Sequence, residues 1–208
     1  MPDREHILYK IRGALGHRAG QEPGSPPAPL LRVPSVSREQ RVEGLLENFP
    51  GEAHRATSPE DARLYVARIL AGRPAVAFDN PLLDHTQINR LPGVRAGIRE
   101  ESEFRQACAT AEVGITGAQY ALMEPGALVM VSGSDEERLA SLLPSTHIAV
   151  ISADAILTGL DELFTVLPDP AAVGSSVVLI AGPSRTGDIE MILVKGVHGP
   201  RELHLVVL

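Results

Sequence analysis

The amino-acid sequence predicts an α/β fold, in which a largely parallel sheet carries helices on both faces. Short β-branched apolar runs, typical of buried strands, alternate along the chain with amphipathic stretches of helical periodicity. Strands that alternate with helices are joined by crossover connections, which favour parallel pairing and cover both faces of the sheet. The length of 208 residues and the 44% hydrophobic content suit one such domain with an appendage.

The appendage is predicted over residues 1–36, as a helix followed by a proline-rich arm. Apolar residues recur at helical spacing within Arg4–Gly16 and form an amphipathic stripe of Ile7, Leu8, Ile11 and Leu15. Gly20–Pro34 is rich in proline, which lacks an N–H and fixes φ, so this segment is predicted to be extended. Two interpretations stay open: a mobile tail, or a tethered helix that docks on a partner.

The main domain is predicted over residues 37–208. Helices are predicted at Arg38–Phe49, Ser58–Ala71, Leu82–Leu91, Glu100–Cys108, Asp135–Leu143 and Asp154–Phe164. Strands are predicted at Pro74–Phe78, Val94–Ile98, Gly114–Thr116, Ala127–Val131, His147–Ile151, Val177–Ala181 and Leu203–Leu208.

Local signals support individual elements. Val42, Leu45 and Phe49 share one face of the first helix of the main domain. Ser58 is a typical N-cap, because Pro59 follows it at the first helical position and two acids occupy the first turn.

Composition excludes several classes of function. The net charge of −7, with four Phe, three Tyr and no Trp, offers neither a basic face for nucleic acid nor a platform for stacking bases. No apolar stretch approaches the roughly 18 residues of a membrane span, and the charged N-terminus lacks a signal-type apolar core, so a cytoplasmic protein is expected. The single cysteine, Cys108, precludes an intrachain disulfide or cysteine-built cluster, and the scattered histidines indicate no metal site.

A polar, glycine-containing segment, Gly182–Glu190, follows the predicted strand Val177–Ala181. Glycines let backbone N–H groups approach an anion closely, and an arginine binds a carboxylate or phosphate bidentately. Arg185 is therefore a candidate for holding a small anion, with Ser184 donating a hydroxyl. In the alternative, structural interpretation, Thr186 caps a short helix with acids in its first turn, and Arg185 pairs with one of them.

A second turn, Gly196–Arg201, precedes the last predicted strand. His198 lies between glycines and near Arg201, and an imidazole exchanges protons near neutral pH. The residue is a candidate acid–base or anion-binding group, although a loop histidine is more often simply solvated.

Two further strand ends carry polar residues. Glu124 precedes Pro125-Gly126 at the start of a predicted strand, where it is either a turn-capping residue or a base or nucleophile at the rim of the sheet. Asp79 and Asn80 follow the strand Pro74–Phe78, where a helix cap is the better interpretation. No P-loop, Gly-x-Gly-x-x-Gly or Gly-x-Ser-x-Gly motif is present.

Taken together, Gly182–Glu190 and Gly196–Arg201 closely resemble the C-terminal signature of the lactate utilization protein C (LutC, or LUD-domain) family. Thr116–Val131 resembles that family's central turn, and Leu142–His147 the segment that follows it. The resemblance runs from about Arg38 to Leu208. Where the family usually shows Glu-Thr-Gly-Thr, this chain has Glu124-Pro125-Gly126-Ala127, so both hydroxyls are missing.

The resemblance implies a sheet of the type shared by sugar-phosphate isomerases and CoA transferases. It also implies a role in oxidising L-lactate to pyruvate beside iron–sulfur partner proteins, which would carry the clusters that this chain, with one cysteine, does not hold. We expect a complex subunit without a cofactor of its own, in which Arg185 holds a small carboxylate or phosphate and His198 moves a proton. The expected site residues are Ser184, Arg185, Thr186, His198, Arg201, Glu124 and Gly126.

Two alternatives come from other classes of function. One is a stand-alone acyl-CoA transferase or sugar-phosphate isomerase-like enzyme, with Glu124 as its nucleophile or base by analogy with the fold relatives. The other is a non-catalytic scaffold that recruits partners through the helix within Arg4–Gly16.

Overall fold

The computed structural model describes residues 2–16, 32–133, 135–169, 174–187 and 193–208. The chain separates into two compact units, Met1–Leu30 and Leu31–Leu208. In the first unit, helix α1 spans Pro2–Leu15, as the apolar periodicity predicts. The prediction of an extended arm over Gly20–Pro34 falls mostly outside the described residues.

Helices and strands alternate along the second unit. Its helices are α2 (Arg38–Asn48), α3 (Pro59–Leu70), α4 (Pro81–His85), α5 (Glu101–Thr110), α6 (Asp135–Leu142) and α7 (Leu160–Val166). Its strands are β1 (Glu52–Arg55), β2 (Ala75–Ala77), β3 (Val94–Arg95), β4 (Val113–Gly117), β5 (Tyr120–Leu122), β6 (Ala127–Ser132), β7 (Thr146–Ile151), β8 (Ile156–Leu157), β9 (Ser176–Ile180), β10 (Arg185–Gly187), β11 (Leu193–Lys195) and β12 (Glu202–Val207). Short 3-10 helices lie at Ile88–Arg90 and Ala153–Ala155.

Six of these strands form the main sheet, in the order β1-β12-β7-β4-β2-β3, and each neighbouring pair is parallel. In the central pair, Val113 lies beside Thr146 and Gly117 beside Val150. Both central strands are buried along their whole length, as expected of a parallel sheet covered on both faces. The predicted α/β architecture is confirmed.

Helices pack on both faces of this sheet. On one face, α3, α4 and the first 3-10 helix cover Ala75, Ile115 and Val150. On the other face, α2 and a smaller sheet of order β8-β5-β6-β9 cover Ile151 and its neighbours, while α5 and α6 cover Val76. None of the described helices is both long and apolar enough to cross a bilayer.

The predicted helix caps form. The Ser58 hydroxyl accepts a hydrogen bond from the backbone N–H of Asp61 at 3.1 Å, with Pro59 at the first helical position. The side-chain oxygen of Asn80 accepts one from the N–H of Leu82 at 2.9 Å and thereby caps α4. These caps satisfy N–H groups that have no partner within their own helix.

Two predicted helices are shorter in the structure, and five strands, β1, β5, β8, β10 and β11, were not predicted. The helix expected over Leu82–Leu91 is interrupted at Gln87, whose φ of 56° is left-handed. The first part of the helix expected over Asp154–Phe164 is instead the end of a 3-10 helix, Ala153–Ala155, followed by β8, which pairs with β5, so that α7 begins only at Leu160. The polar strand β1 lies at the sheet edge and pairs with β12, a long-range contact that its sequence does not signal.

Candidate functional site

Three of the predicted site residues, Ser184, Arg185 and His198, line one pocket of about 330 Å³, which we call the loop pocket. The remainder of its lining comes from β9, from the end of α6, and from residues 181–183 and 199–200. The pocket lies beside the amino ends of β7 and β12, because the end of α6 leads into β7 and residues 198–200 lead into β12.

Ser184 ties the two loops of this pocket together. Its backbone N–H donates to the carbonyl of Pro200 at 2.8 Å, and its carbonyl accepts from the N–H of Gly196 at 3.0 Å. Its hydroxyl oxygen accepts from the backbone N–H of His198 at 3.2 Å. The hydroxyl hydrogen is not needed for that bond and remains able to donate to a ligand.

The two candidate charged side chains of the loop pocket are exposed. Arg185 and His198 are both exposed residues, and Ser184 is half-buried. A guanidinium and an imidazole beside one hydroxyl can grip a carboxylate and exchange a proton with a neighbouring hydroxyl group. The loop pocket thus combines a cation, an imidazole and a hydroxyl group.

Thr186 does not cap a helix, as one interpretation of the sequence expected. It lies in β10, which pairs antiparallel with β11 so that Thr186 is opposite Val194. The hairpin pairing takes the backbone groups that a helix start would use. Asp188 and Glu190, the acids of that expected helix, lie outside the described residues.

Arg201 and Gly126 are not among the residues that line the loop pocket. A side chain added to Gly196 would meet the Arg201 side chain within 3 Å, so Arg201 packs against the Gly196 backbone, whose φ is +79°. Gly126 has a φ of +82° and lies against the end of α2, where an added Cβ would meet the Asn48 carbonyl oxygen at 2.2 Å. Gly126 therefore has a packing role at this turn.

Glu124 lines a different pocket, of about 310 Å³, together with Arg32, Thr158 and Asp161. Its side chain is exposed, and its backbone N–H donates to the Thr158 carbonyl at 3.2 Å. This pocket and the loop pocket share no lining residue. The structure therefore does not bring Glu124 together with Arg185 and His198 in one cavity.

The sequence did not single out a third pocket, of about 440 Å³, which we call the carboxyl-end pocket. Its polar lining residues are Asp79, Asn80, Thr116, Gln119 and Ser132. Asp79 and Asn80 follow β2, and Thr116 lies near the end of β4, so the pocket sits at the carboxyl ends of these strands. The available signal is a pair of polar residues, Asp79 and Asn80, directly after a buried strand, and this local pattern favours a helix cap.

Thr116, which lines this pocket, forms a buried hydrogen-bonded pair with His147. The Thr116 hydroxyl lies 2.8 Å from Nε2 of His147, and both residues are buried. Nδ1 of His147 has no hydrogen-bond partner among the described residues. Burial, reinforced by the nearby His204, lowers the pKa of His147 to about 4, so the ring is neutral at pH 7.

The single cysteine lies in the core. Cys108 on α5 is buried with Phe104, Val76 and Ala140, and burial raises the pKa of its thiol to about 11. A buried neutral thiol of this kind behaves as a small apolar side chain.

Comparisons with known proteins identify the same family that the sequence motifs resemble. A family described as the LUD domain matches residues 40–208. Among curated proteins, the chain is 42% identical over 129 residues to lactate utilization protein C of Halalkalibacterium halodurans, which covers 60% of this chain and 50% of that protein. It is 34% identical over 150 residues to the protein of the same name from Geobacillus sp., covering 65% and 62%. The chain thus spans between half and two thirds of the length of these two relatives.

Other relatives match over more of their length. The chain is 28% identical to lactate utilization protein C of Deinococcus radiodurans, covering 94% of this chain and 90% of that protein. Among solved structures, a DUF162 family protein from Deinococcus radiodurans superposes with a TM-score of 0.57 at 17% identity, covering 83% of this chain and 98% of that one. That structural likeness supports the fold.

Proposed function

The chain belongs to the LUD domain family, and from that premise we propose that it acts in L-lactate utilization, as a subunit that binds a small carboxylate while lactate is oxidised to pyruvate. Relatives named lactate utilization protein C support the pathway. The observation that carries the proposal is that Ser184 and Arg185, at the start of β10, line one pocket with His198, from the loop before β12.

In the proposed arrangement, Arg185 pairs with the carboxylate of lactate and Ser184 donates its hydroxyl hydrogen to the same group. His198 takes the proton of the α-hydroxyl group. Oxidation to pyruvate also breaks the Cα–H bond, and this hydrogen leaves with its two electrons, formally as a hydride. We assign its acceptance to a hydride-accepting group of a partner protein, from which the electrons pass singly to iron–sulfur clusters, because one buried cysteine cannot hold a cluster in this chain.

Growth on lactate tests the proposal in the cell. A strain that lacks this gene is expected to lose growth on L-lactate as the sole carbon source and to keep growth on glucose. The native gene restores growth, whereas Arg185→Ala does not, because the carboxylate loses its cationic partner; Arg185→Lys restores it in part. Full growth of the deletion strain on lactate would refute the role in lactate utilization.

Calorimetry tests binding at the loop pocket independently of the growth phenotype. The purified chain is expected to bind L-lactate or pyruvate, with affinity at least about tenfold lower in Arg185→Ala, since a charge-assisted hydrogen bond contributes about 1.5–3 kcal/mol. Glu124→Gln is the matched control, because Glu124 lines a different pocket. Equal heats for the native chain and Arg185→Ala would remove Arg185 from the site, even if the deletion strain fails on lactate.

A scaffold role is a second candidate, because the N-terminal helix carries exposed apolar side chains. Ile7, Tyr9, Ile11 and Leu15 on α1 are each about half exposed or more. Such side chains suit docking onto another protein. Removal of residues 1–30 is expected to reduce co-purification of the iron–sulfur partners from cells grown on lactate. Undiminished co-purification would dismiss this role for α1.

A further inference from the structure

The connections of the main sheet place the carboxyl-end pocket at a point where the chain diverges. From the end of β2, the chain continues through α4, on the face that α3 covers. From the end of the adjacent β4, it continues into β5 and β6, on the opposite face. Adjacent parallel strands whose connections leave toward opposite faces open a crevice at their carboxyl ends, and ligands of open α/β sheets bind in such crevices.

The amide groups in this crevice have a fixed orientation. The side-chain oxygen of Asn80 accepts from the N–H of Leu82 at 2.9 Å. The side-chain oxygen of Gln119 accepts from the N–H of Val131 at 2.9 Å. Because both carbonyl oxygens are engaged by backbone donors, each residue is left with its NH₂ group to offer. The pocket is thus provided with two hydrogen-bond donors.

Asp79 provides the complementary acceptor. One of its carboxylate oxygens accepts from the backbone N–H of Gly97 at 3.0 Å, which fixes the carboxylate beside the pocket. The remaining lone pairs can accept from ligand donors. Among the described residues that line the pocket, none is Lys, Arg or His, so a carboxylate or phosphate ligand would face Asp79 without a compensating cation.

From these groups we infer that the carboxyl-end pocket binds an uncharged ligand part with adjacent hydroxyl groups, the diol of a sugar or ribosyl ring. Hydroxyl groups both donate and accept, so they match a carboxylate and two NH₂ groups at once. Phe78 and Met130 supply apolar surface for the ring carbons, and the volume of about 440 Å³ accommodates a ligand of that size. The site is separate from the loop pocket and does not depend on Arg185.

Binding of defined probes to the full chain tests this inference. Methyl β-D-ribofuranoside and adenosine are titrated by calorimetry, each beside its 2,3-dideoxy counterpart (2′,3′ for the nucleoside). We expect the diol forms to bind at least about tenfold more tightly than the dideoxy forms, because the latter lack the hydroxyl groups that would bond to Asp79, Asn80 and Gln119. Binding of the riboside alone indicates a free sugar, and tighter binding of adenosine indicates a nucleoside; either result supports the diol site.

Conservative variants assign the contacts. Asn80→Asp keeps the oxygen that caps α4 and Gln119→Glu keeps the oxygen that bonds Val131, but each loses its NH₂ donor. Asp79→Asn keeps the shape and loses the charge. Each variant is expected to bind the diol probe about tenfold more weakly, while Arg185→Ala binds it like the native chain.

Several results would overturn the inference. They are absence of binding by both diol probes, equal binding of the dideoxy forms, or diol binding that the Asp79→Asn change leaves intact. Tighter binding of L-lactate or ribose 5-phosphate at this pocket would also overturn it, since the pocket would then select an anion. Loss of diol binding in Arg185→Ala would place the ligand in the loop pocket. The comparison of diol and dideoxy probes needs only the native chain, so equal binding of the two forms overturns the inference even if a variant fails to fold.

Discussion

The loop pocket and the carboxyl-end pocket lie at opposite ends of the parallel strands and are built in different ways. The first consists largely of loop residues held by backbone hydrogen bonds around Ser184. The second is built on the ends of β2 and β4, above a buried hydrogen-bonded pair, Thr116 and His147. The first supplies a cation for an anionic ligand, and the second supplies a carboxylate and neutral donors. The two ends of one parallel sheet can therefore present pockets with different chemical groups.

Gly114 lies on β4 where α6 packs against it, and a change there is expected to have the largest effect. An added Cβ would lie 1.7 Å from the Ala140 carbonyl oxygen of α6, which cannot move without displacing the helix. Because α6 leads to the loop pocket and β4 to the carboxyl-end pocket, both are affected. We predict that Gly114→Ala lowers the free energy of unfolding by about 3 kcal/mol or more in denaturant titrations.

Gly13→Ala is the matched control, because an added Cβ there meets no atom within 4 Å. It is expected to leave the stability unchanged or slightly raised, as alanine favours a helix. Equal stability of the Gly114→Ala and native chains would mean that α6 does not pack on β4 as described.

The buried histidine below the carboxyl-end pocket is expected to make stability depend on pH. The pKa of His147 is about 4 when folded and near 6.5 when unfolded, so the unfolded chain binds an additional proton between these values. Stability contributed by the neutral ring is present above pH 6.5 and is lost as pH falls toward 4, by up to about 1.4 kcal/mol per pH unit. We predict that His147→Gln reduces this slope in urea titrations from pH 7 to 4.

The exposed His85 provides the control for that slope. His85→Gln makes the same substitution at an exposed position and controls for the change of side chain itself, while other titrating groups, including His204, are common to all three proteins. A slope that is the same in His147→Gln and in the native chain would contradict the burial of a neutral His147.

Removal of the Thr116 hydroxyl is expected to have a smaller effect. Thr116→Val retains the shape but leaves Nε2 of the buried His147 without its partner, which costs about 1–3 kcal/mol. Thr165→Val removes a hydroxyl that bonds only an exposed helix carbonyl and is the matched control. If thermal unfolding shows the same loss for both variants, the buried pair has no special contribution.

Removal of the Ser184 hydroxyl is expected to have the smallest effect on stability. Ser184→Ala loses the acceptor for the His198 N–H, at a cost of about 1 kcal/mol or less in a partly exposed loop. Amide hydrogen exchange at His198 should become faster, while exchange in β4 stays unchanged. Unchanged exchange at His198 would show that Ser184 does not hold this loop.

The sequence predicted the loop pocket better than the carboxyl-end pocket for a physical reason. Arg185 and His198 lie in glycine-containing segments of the sequence, and their side chains are of types that commonly bind anions. The neighbouring strands β9 and β12 are recognisable in the sequence as apolar runs. Asp79 and Asn80 follow a predicted strand, but capping of α4 already explains Asn80. The local sequence therefore gives no separate sign of the pocket. The crevice arises because β2 and β4 are adjacent and their connections leave toward opposite faces of the sheet. The hydrophobic periodicity of the sequence predicts neither the strand order nor the faces of the connections.

Local patterns also could not specify the positions of Glu124 and β1. Glu124 follows β5 of the smaller sheet, which packs with α2. Glu124 therefore lines a different pocket from Arg185 and His198. The strand β1 is polar and exposed at both ends, and pairing with β12 rather than an apolar pattern makes it a strand. Helix caps, which depend on neighbouring residues alone, were predictable at Ser58 and Asn80.

The most direct test of the proposed function is amide NMR of the labelled full chain during titration with L-lactate. The account predicts shift changes at residues 182–187 and 196–201, absent in Arg185→Ala, with residues 79–80 and 116–119 unchanged. Shift changes confined to residues 79–80 and 116–119, or the same changes at the loop pocket in Arg185→Ala, would contradict the assignment of the carboxylate to Arg185.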